Sequence, residues 1–158
     1  INSLSQKYSV RKLDENDVDI IYDMSCKNDI FYQYHPPFVT RESILDDMGA
    51  LPPGKGYDDK CYVGFFENDS LVGLMDLILD YPEKEISFIG LFMTDTRYQN
   101  RGVGSGIISD VILCLKSSGY KEIRLGVDKG NPQSYSFWTK NKFTPIREDT
   151  YILMGLRI

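Results

Sequence analysis

Residues 97–106 read Arg-Tyr-Gln-Asn-Arg-Gly-Val-Gly-Ser-Gly and lead directly into an amphipathic helix. Closely spaced glycines allow backbone N–H groups to approach an anion, and the first turn of a helix presents its positive end to that anion. The two arginines of the segment add fixed positive charge. The segment therefore predicts a cradle for a phosphate or pyrophosphate group, built where a tight turn enters a packed helix.

Two common nucleotide-binding motifs and a pure packing role fit these glycines less well. A dinucleotide-binding fingerprint needs a third glycine where Ile107 stands, and it opens a parallel βαβ unit. A P-loop ends in Gly-Lys-Ser/Thr, which is absent here. Glycines kept only for close helix–strand packing would each weaken the helix start by about 1 kcal/mol, so packing alone accounts for them poorly. The pattern favours an anion site.

Hydrophobic periodicity and turn residues predict one mixed α/β domain over residues 1–158. Strands are predicted at residues 8–13, 61–66, 71–80, 85–94, 123–127 and 151–156. Helices are predicted at residues 18–26 and 41–48, from 103 to a stop at 118–119, and at 131–142. Short turns join the three strands between 61 and 94, which indicates an antiparallel meander. Residues 31–38 are predicted not to form a regular helix, because Pro36 and Pro37 end it.

Composition excludes several classes of partner. The chain has 18 Lys and Arg against 23 Asp and Glu, and a net charge of −5 disfavours nucleic acid. Cys26, Cys61 and Cys114 are too few and too scattered for a disulfide framework or a metal site, and they suit a reduced cytoplasm. No apolar stretch approaches the length of a membrane span, and the first residues lack signal-peptide character. We therefore expect a cytoplasmic protein with no metal, nucleic-acid or membrane partner.

Two motifs resemble those of a known superfamily. Gln-Asn-Arg-Gly-Val-Gly at residues 99–104 resembles the Gln/Arg-x-x-Gly-x-Gly/Ala signature of the GNAT superfamily of acyl-CoA-dependent N-acetyltransferases. The stretch Asn-Pro-Gln-Ser-Tyr-Ser-Phe-Trp-Thr-Lys-Asn-Lys-Phe, from Asn131, resembles the later Asn-x-x-Ala-x-x-x-Tyr-x-x-x-Gly-Phe helix. The order of predicted elements agrees over nearly the whole chain. The resemblance implies a GNAT-like α/β fold with a mixed, mostly antiparallel sheet flanked by helices, and acetyl-CoA as cosubstrate.

The resemblance also implies where the cosubstrate binds. Backbone amides of residues 99–105 would bind the pyrophosphate, and the strand ending at Thr94 would pair its exposed backbone with the pantetheine arm. Gly90 independently fits a bulge or close backbone approach in that strand. Asn131 would hydrogen-bond the arm while two aromatic residues pack along it, with ordinary core packing equally expected for Phe137. The implied cosubstrate-binding residues are Phe92, Met93, Thr94, Gln99, Asn100, Arg101, Gly102, Val103, Gly104, Ser105, Asn131, Phe137 and Trp138.

Acetyl transfer to an amine needs a neutral amine, a polarised thioester carbonyl and a proton for the departing thiolate. A lysine-like amine has a pKa near 10.4, so its deprotonation at pH 7 costs about 4–5 kcal/mol and a base or water chain helps. A backbone N–H at Met93 or Thr94 would stabilise the oxyanion. Glu85 is the candidate base, as the only carboxylate on the predicted strand before the cradle. Asp76, a water relay, and a purely solvated Glu85 are the alternatives.

The proton donor departs from the superfamily pattern. Trp138 stands where many relatives carry tyrosine, and its indole N–H does not serve as an acid. Tyr135, one turn earlier on the same predicted helix, is the candidate acid, with a packing role or no acid at all as alternatives. His35, the only histidine, falls in a tyrosine-rich segment where this fold builds its acceptor pocket. We interpret it as a pocket wall or loop residue.

The function implied is transfer of an acetyl group from acetyl-CoA to a primary amine of a small molecule or peptide, by direct attack in a ternary complex. The alternative is a non-catalytic acyl-CoA-binding module that acts as a sensor or interaction domain. The tryptophan at position 138 favours that alternative. Many proteins of this architecture pair through exposed sheet edges, so a homodimer is a further expectation.

Overall fold

The computed structural model describes residues 2–158, except for the side chain of Asn2, and contains a seven-stranded sheet in the order β1-β2-β3-β4-β5-β7-β6. The strands are β1 Ser9–Lys12, β2 Lys60–Glu67, β3 Ser70–Ile78, β4 Ile86–Thr94, β5 Glu122–Val127, β6 Thr144–Glu148 and β7 Ile152–Arg157. The helices are α1 Val18–Ser25, α2 Asp29–Tyr34, α3 Arg41–Gly49, α4 Val103–Ser117 and α5 Pro132–Lys140. Only β4 and β5 pair in parallel, which confirms the predicted mixed, mostly antiparallel sheet.

The meander β2-β3-β4 carries the irregularity that opens the sheet. Asp76 of β3 pairs with Leu91 and its neighbour Leu77 pairs with Ile89, so Gly90 is the extra residue of a bulge in β4. The parallel pairing with β5 stops at the same place, after Ile89. Beyond Gly90, β4 therefore continues beside β3 alone, and a gap separates its other edge from β5. The bulge expected at Gly90 is confirmed.

Helices cover both faces of the sheet, because the central strands are apolar on both faces. On one face, the apolar stripe of α4 packs with buried residues of β2, β3 and β5. The stripe consists of Ile107, Ile108, Val111 and Leu115. On the other face, α1 and α3 pack against Tyr62, Leu74 and Met93. The gap beside β4 thus lies between two helical layers.

One local prediction was wrong and one strand was not predicted. Residues 31–34 are helical, as the last four residues of α2, because Pro36 and Pro37 end a helix without preventing a turn before it. The strand β6 was not foreseen, since all five of its residues are exposed and it therefore lacks the hydrophobic alternation that marks a half-buried strand. Its Pro145 is tolerated because β6 is the edge of the sheet. Among residues 2–158, no helix is both long and apolar enough to cross a membrane.

Candidate active site

A cleft of about 590 Å³ occupies the gap beside β4. Four segments line it: the start of α2, the end of β4, the turn into α4, and α5. The structure brings together here all but one of the residues expected to bind the cosubstrate, namely Phe92, Met93, Thr94, Gln99, Asn100, Gly102, Val103, Gly104, Ser105, Asn131, Phe137 and Trp138. The exception, Arg101, lines a smaller neighbouring pocket with Lys7.

The turn into α4 presents unpaired backbone donors to the cleft. Asn100 and Gly102 have φ angles of 62° and 76°, so the chain turns twice through the left-handed region before the helix begins. Gly102 is the N-cap and offers no side-chain cap. The first backbone hydrogen bond of the helix runs from Gly106 N–H to the Gly102 carbonyl, at 3.0 Å. The N–H groups of residues 103–105 precede it and have no partner among the described residues, which is the arrangement that binds anions.

The glycines of this turn serve different purposes. At Gly102 the positive φ disfavours other residues, and a Cβ would meet nothing within 4 Å. At Gly104 a Cβ would lie 3.1 Å from the Phe137 ring and 3.7 Å from the Phe92 ring. Close packing is therefore a sufficient reason for Gly104, contrary to the expectation from sequence, whereas Gly102 is required by backbone conformation.

The end of β4 has a defined pattern of free backbone groups. Asp95 N–H donates to the Val72 carbonyl at 2.8 Å. Because hydrogen bonding alternates along an antiparallel pair, Met93 also faces β3, while Phe92 and Thr94 face the gap. The Thr94 carbonyl is already bound there by Asn28 Nδ2 at 3.3 Å and Gln99 Nε2 at 3.2 Å. The free groups on the open edge are the N–H of Thr94 and both backbone groups of Phe92.

Helix α5 forms the opposite wall. Asn131 is buried at its N-cap, where Oδ1 accepts a hydrogen bond from Ser134 N–H at 3.2 Å. The Nδ2 group has no partner among the described residues, so a donor remains for the cleft. The Phe92 and Phe137 rings stack with centroids 6.0 Å apart. Trp138 is only 6% exposed and packs edge-on against Phe143 at 5.1 Å, so its ring belongs largely to the core.

Sequence reasoning missed the wall formed by residues 27–31, which are the end of the α1–α2 connection and the start of α2. Asn28 is buried there and its Oδ1 accepts a hydrogen bond from Gln99 Nε2 at 2.8 Å. The wall carries Asp29, the only carboxylate among the residues that line the cleft. Asn28 and Gln99 lie 71 positions apart in the chain. An isolated Asn-Asp pair at the start of a short helix has no sequence pattern that would indicate such a contact.

The structure does not bring the two catalytic candidates into the cleft. Glu85 precedes β4, with a φ of 67°, and its N–H donates to Asp80 Oδ1 at 2.8 Å. Tyr135 is 37% exposed and does not line the cleft, although its helix does. Tyr98, in the 3₁₀ helix Thr96–Tyr98, is the one tyrosine among the lining residues. Sequence analysis did not single it out.

A buried ion pair lies behind the Gly90 bulge. Lys60 Nζ contacts Asp76 Oδ2 at 2.9 Å and donates to the Ala50 carbonyl at 2.8 Å. Burial raises the pKa of Asp76 above its usual value, and the ion pair with Lys60 partly offsets that effect. Partial burial and the charge of Asp76 together raise the pKa of Asp47, on α3. Asp76, an alternative base from sequence, is thus beside the site but does not line the cleft.

His35 does not line the cleft, but it contacts the segment that leads to α5. Its Nδ1 lies 3.1 Å from both carboxylate oxygens of Asp128. Asp128 follows β5 and leads to α5, while His35 follows α2. The contact therefore ties together the two helical walls of the cleft.

Comparisons with known proteins match this architecture. A family model described as "Acetyltransferase (GNAT) family" matches residues 23–143, which is more than half of the chain. An acetyltransferase structure from Thermus thermophilus shares 17% identity with a TM-score of 0.81, covering 96% of this chain and 97% of that one. The PaiA N-acetyltransferase of Thermoplasma acidophilum, in complex with coenzyme A, shares 18% identity with a TM-score of 0.72, covering 95% and 98%.

A third similar structure is a spermidine N-acetyltransferase SpeG chimera from Vibrio cholerae and hSSAT. It shares 13% identity with a TM-score of 0.71, and 96% of each chain is covered. A comparison with curated proteins found no match. At these identities the structural likeness establishes the fold, and the family model matches the residues that carry the cradle and α5.

Proposed function

The chain belongs to the GNAT acetyltransferase family and is thus an N-acetyltransferase, and we propose that it moves the acetyl group of acetyl-CoA to a primary amine by direct attack in a ternary complex. The observation that carries the proposal is the cleft beside β4, where unpaired N–H groups of residues 103–105 meet an open strand edge. A diphosphate and an amide-containing arm need those two features side by side. The PaiA neighbour, which holds coenzyme A, has the same fold.

Acetyl-CoA binding would divide between the two features. The amides of residues 100–105 would hold the pyrophosphate, since that of Gln99 already donates to the Thr96 carbonyl, and the positive end of the 15-residue helix α4 lies behind them. The pantetheine amides would pair with the free backbone groups of Phe92, because the Thr94 carbonyl is already taken. Asn131 Nδ2 would donate to the same arm from α5. The aromatic pair Phe92 and Phe137 would line its apolar side.

The reaction needs a donor for the oxyanion and a path for two protons. Thr94 N–H faces the gap, whereas Met93 N–H faces β3, so Thr94 is the better placed of the two expected donors. Attack by the amine nitrogen forms the new C–N bond as the C–S bond breaks, and the thiolate leaves as coenzyme A. Water in the cleft would carry the proton from the amine, with Asp29 as the one carboxylate among the lining residues, and would return a proton to the thiolate.

The acceptor is proposed to be a cationic amine. Behind the bulge, Asp76 pairs with the single ammonium of Lys60, and burial together with the charge of Asp76 raises the pKa of Asp47 on α3. The charged residues that line the cleft itself are Lys27, Asp29 and Lys140. The second carboxylate behind the bulge is a local excess of negative charge, which attracts amines that carry a second positive group. The SpeG neighbour is described as a spermidine acetyltransferase, which agrees with an acceptor of this kind.

A panel of amines tests the proposal. Coenzyme A release would be measured with spermidine, 1-aminopentane, a peptide with a free N-terminus and a peptide with an internal lysine, alongside calorimetric titration with acetyl-CoA. We expect acetyl-CoA binding and turnover with at least one amine, with spermidine preferred over 1-aminopentane. Tight binding without turnover on any amine would instead favour the non-catalytic module. Absence of acetyl-CoA binding would reject both.

A further inference from the structure

Asn28 joins three separate segments at the cleft. Its Nδ2 donates to the carbonyl of Met24 at 3.1 Å and to that of Thr94 at 3.3 Å. Its Oδ1 accepts from Gln99 Nε2 at 2.8 Å, and Gln99 also donates to the Thr94 carbonyl. One buried asparagine therefore connects the end of α1, the open end of β4 and the first residue of the cradle. We call Asn28, Thr94 and Gln99 the Asn28 junction.

The side chain of Asn28 does not cap the helix that it precedes. Asn28 stands at the N-cap of α2, a position where asparagine commonly accepts a hydrogen bond from the N–H groups of its own helix. It makes no such cap here. Its acceptor oxygen is bound to Gln99 instead, so the start of α2 is joined to the cradle and not to its own first turn.

Helix α2 has little stability of its own. It has six residues, none of them buried, and a helix of this length is not stable alone in water. Its first backbone hydrogen bond, from Tyr32 N–H to the Asn28 carbonyl, is long at 3.4 Å. Phe31 and Tyr32 pack partly buried against the core under α1 and α3, Tyr32 also lies against Phe38, and His35, directly after the helix, contacts Asp128 on an exposed surface. Such a segment lies at the low end of local stability and responds to changes at its ends.

We propose that Asn28 is a positioning residue that couples cosubstrate binding at the cradle to the order of α2, on the wall of the cleft opposite α5. The inference rests on the proposed binding of coenzyme A to residues 100–105. A bound diphosphate would fix the backbone from Asn100 onward and with it Gln99, directly before it, and a bound pantetheine arm would fix the end of β4 at Thr94. Both contact Asn28, so its position and the first turn of α2 become fixed with them. If coenzyme A favours the ordered α2 and an acceptor binds that ordered form, each ligand raises the affinity for the other by the same factor.

Amide hydrogen exchange with coenzyme A as the probe tests the coupling without knowledge of the acceptor. The amides to follow are those of Tyr32, Gln33 and Tyr34, which belong to α2 but do not line the cleft. In the unaltered protein we expect saturating coenzyme A to slow their exchange by about fivefold or more, the usual lower range of coupling between sites. In Asn28→Ala this slowing should disappear, while the first turn of α4 is still protected by the ligand.

Two further variants keep the test decisive. Gln99→Ala removes the link to the cradle and leaves the Asn28 bonds to the Met24 and Thr94 carbonyls, so it should reduce the slowing of the α2 amides and serves if Asn28→Ala does not fold. Asn141→Ala is the matched control, because Asn141 Nδ2 also bonds a helix carbonyl, of Phe137 at 2.8 Å, and a second segment, at Ser105. Its α2 response to saturating coenzyme A should be retained, since it joins α5 to α4.

The outcomes separate the inference from the proposed function. If coenzyme A binds but does not slow the three α2 amides, or slows them equally in Asn28→Ala, the coupling is overturned and the binding site stands. If coenzyme A does not bind the unaltered protein, the proposed function fails. A general loss of structure in the variants would raise exchange with and without ligand alike, whereas loss of coupling removes only the difference between the two states.

Discussion

Lys60 Nζ lies 2.9 Å from Asp76 Oδ2, and the two form a buried ion pair directly behind the bulge that opens the cleft. Lys60 is almost fully buried, and Asp76 Oδ1 is buried without a hydrogen-bond partner among the described residues. A Cβ on Gly90 would come within 3.3 Å of Asp76 Oδ2. The charge state of this pair therefore bears on both the stability of the fold and the shape of β4.

Lys60→Met should destabilise the protein in a pH-dependent way. Burial already raises the pKa of Asp76, so the folded state binds its proton more tightly than the unfolded chain does. The contribution of Asp76 is then most favourable below its unfolded pKa and is lost as pH rises through the folded pKa. Without Lys60 the folded pKa rises further, and at pH 7 the free energy of unfolding should fall by about 3–5 kcal/mol.

Denaturant unfolding at pH 4 and pH 7 measures this effect. The decrease in the free energy of unfolding caused by Lys60→Met should be smaller at pH 4 than at pH 7. The double variant Lys60→Met with Asp76→Leu should recover most of the stability, because no unpaired buried charge remains. An equal loss at both pH values, unrelieved in the double variant, would mean that Lys60 acts through packing alone.

Gly104→Ala should weaken acetyl-CoA binding, whereas Gly106→Ala should not. A Cβ at Gly104 would lie 3.1 Å from the Phe137 ring and push that ring toward the cleft, while at Gly106 it meets nothing within 4 Å. We expect a loss of affinity of about tenfold, or 1.4 kcal/mol, for Gly104→Ala. Gly106→Ala should stabilise α4 by about 0.5–1 kcal/mol, since alanine replaces glycine in a helix. Titration calorimetry measures the affinity of the two variants for acetyl-CoA, and thermal unfolding measures their stability. Equal acetyl-CoA affinities for the two variants would contradict the prediction.

Asn131→Asp should separate the structural and ligand-binding roles of Asn131. Aspartate keeps the oxygen that caps α5 through Ser134 N–H but lacks the Nδ2 donor. Stability should therefore be retained while acetyl-CoA affinity falls. Asn131→Ala should lose the same affinity and also about 1 kcal/mol of stability. If Asn131→Asp bound acetyl-CoA as well as the unaltered protein, Asn131 would act only as a helix cap.

Glu85→Gln and Tyr135→Phe should leave turnover nearly unchanged. Neither side chain lines the cleft, and the Glu85 backbone is held in the turn before β4 by Asp80. We expect kcat to change by no more than about twofold, whereas loss of a general acid or base lowers a rate by roughly 10²–10⁴-fold. The pH profile of kcat, measured with the best amine of the panel, checks both variants. If either variant lost the acidic or the basic side of the pH profile of kcat, that residue would act as a general base or acid after all.

The parts of the fold that could be predicted have strong local patterns. The strands of the meander and the helix α4 bury long apolar runs, so their periodicity is visible in the sequence. Strand β6 is exposed on every residue and the six-residue α2 buries none fully, so neither leaves a clear hydrophobic period. Both are held by their neighbours: β6 by its pairing with β7, and α2 by the packing of Phe31 and Tyr32 and by contacts at its ends.

The candidate site divides in the same way. The cradle is contiguous in the chain, and its backbone angles follow from Asn100, Gly102 and the start of α4, so residues 99–105 could be named from sequence. The wall at residues 27–31 and the ion pair of Lys60 with Asp76 could not, since each depends on which distant segments pack together. Glu85 was placed on the strand by its neighbours in the sequence, but a positive φ sets it in the preceding turn.

What the sequence by itself determined is local chemistry: glycine where the backbone turns left-handed at residue 102, asparagine at the cap of α5, and an apolar stripe that docks α4 on the sheet. Such features depend on conformational preferences of a few adjacent residues. Only the tertiary structure decided that Asn28 meets Gln99, 71 positions away, and that both bind the Thr94 carbonyl. A hydrogen bond between distant side chains has no sequence pattern, because its geometry is set by the packing of the helices and strands that carry them.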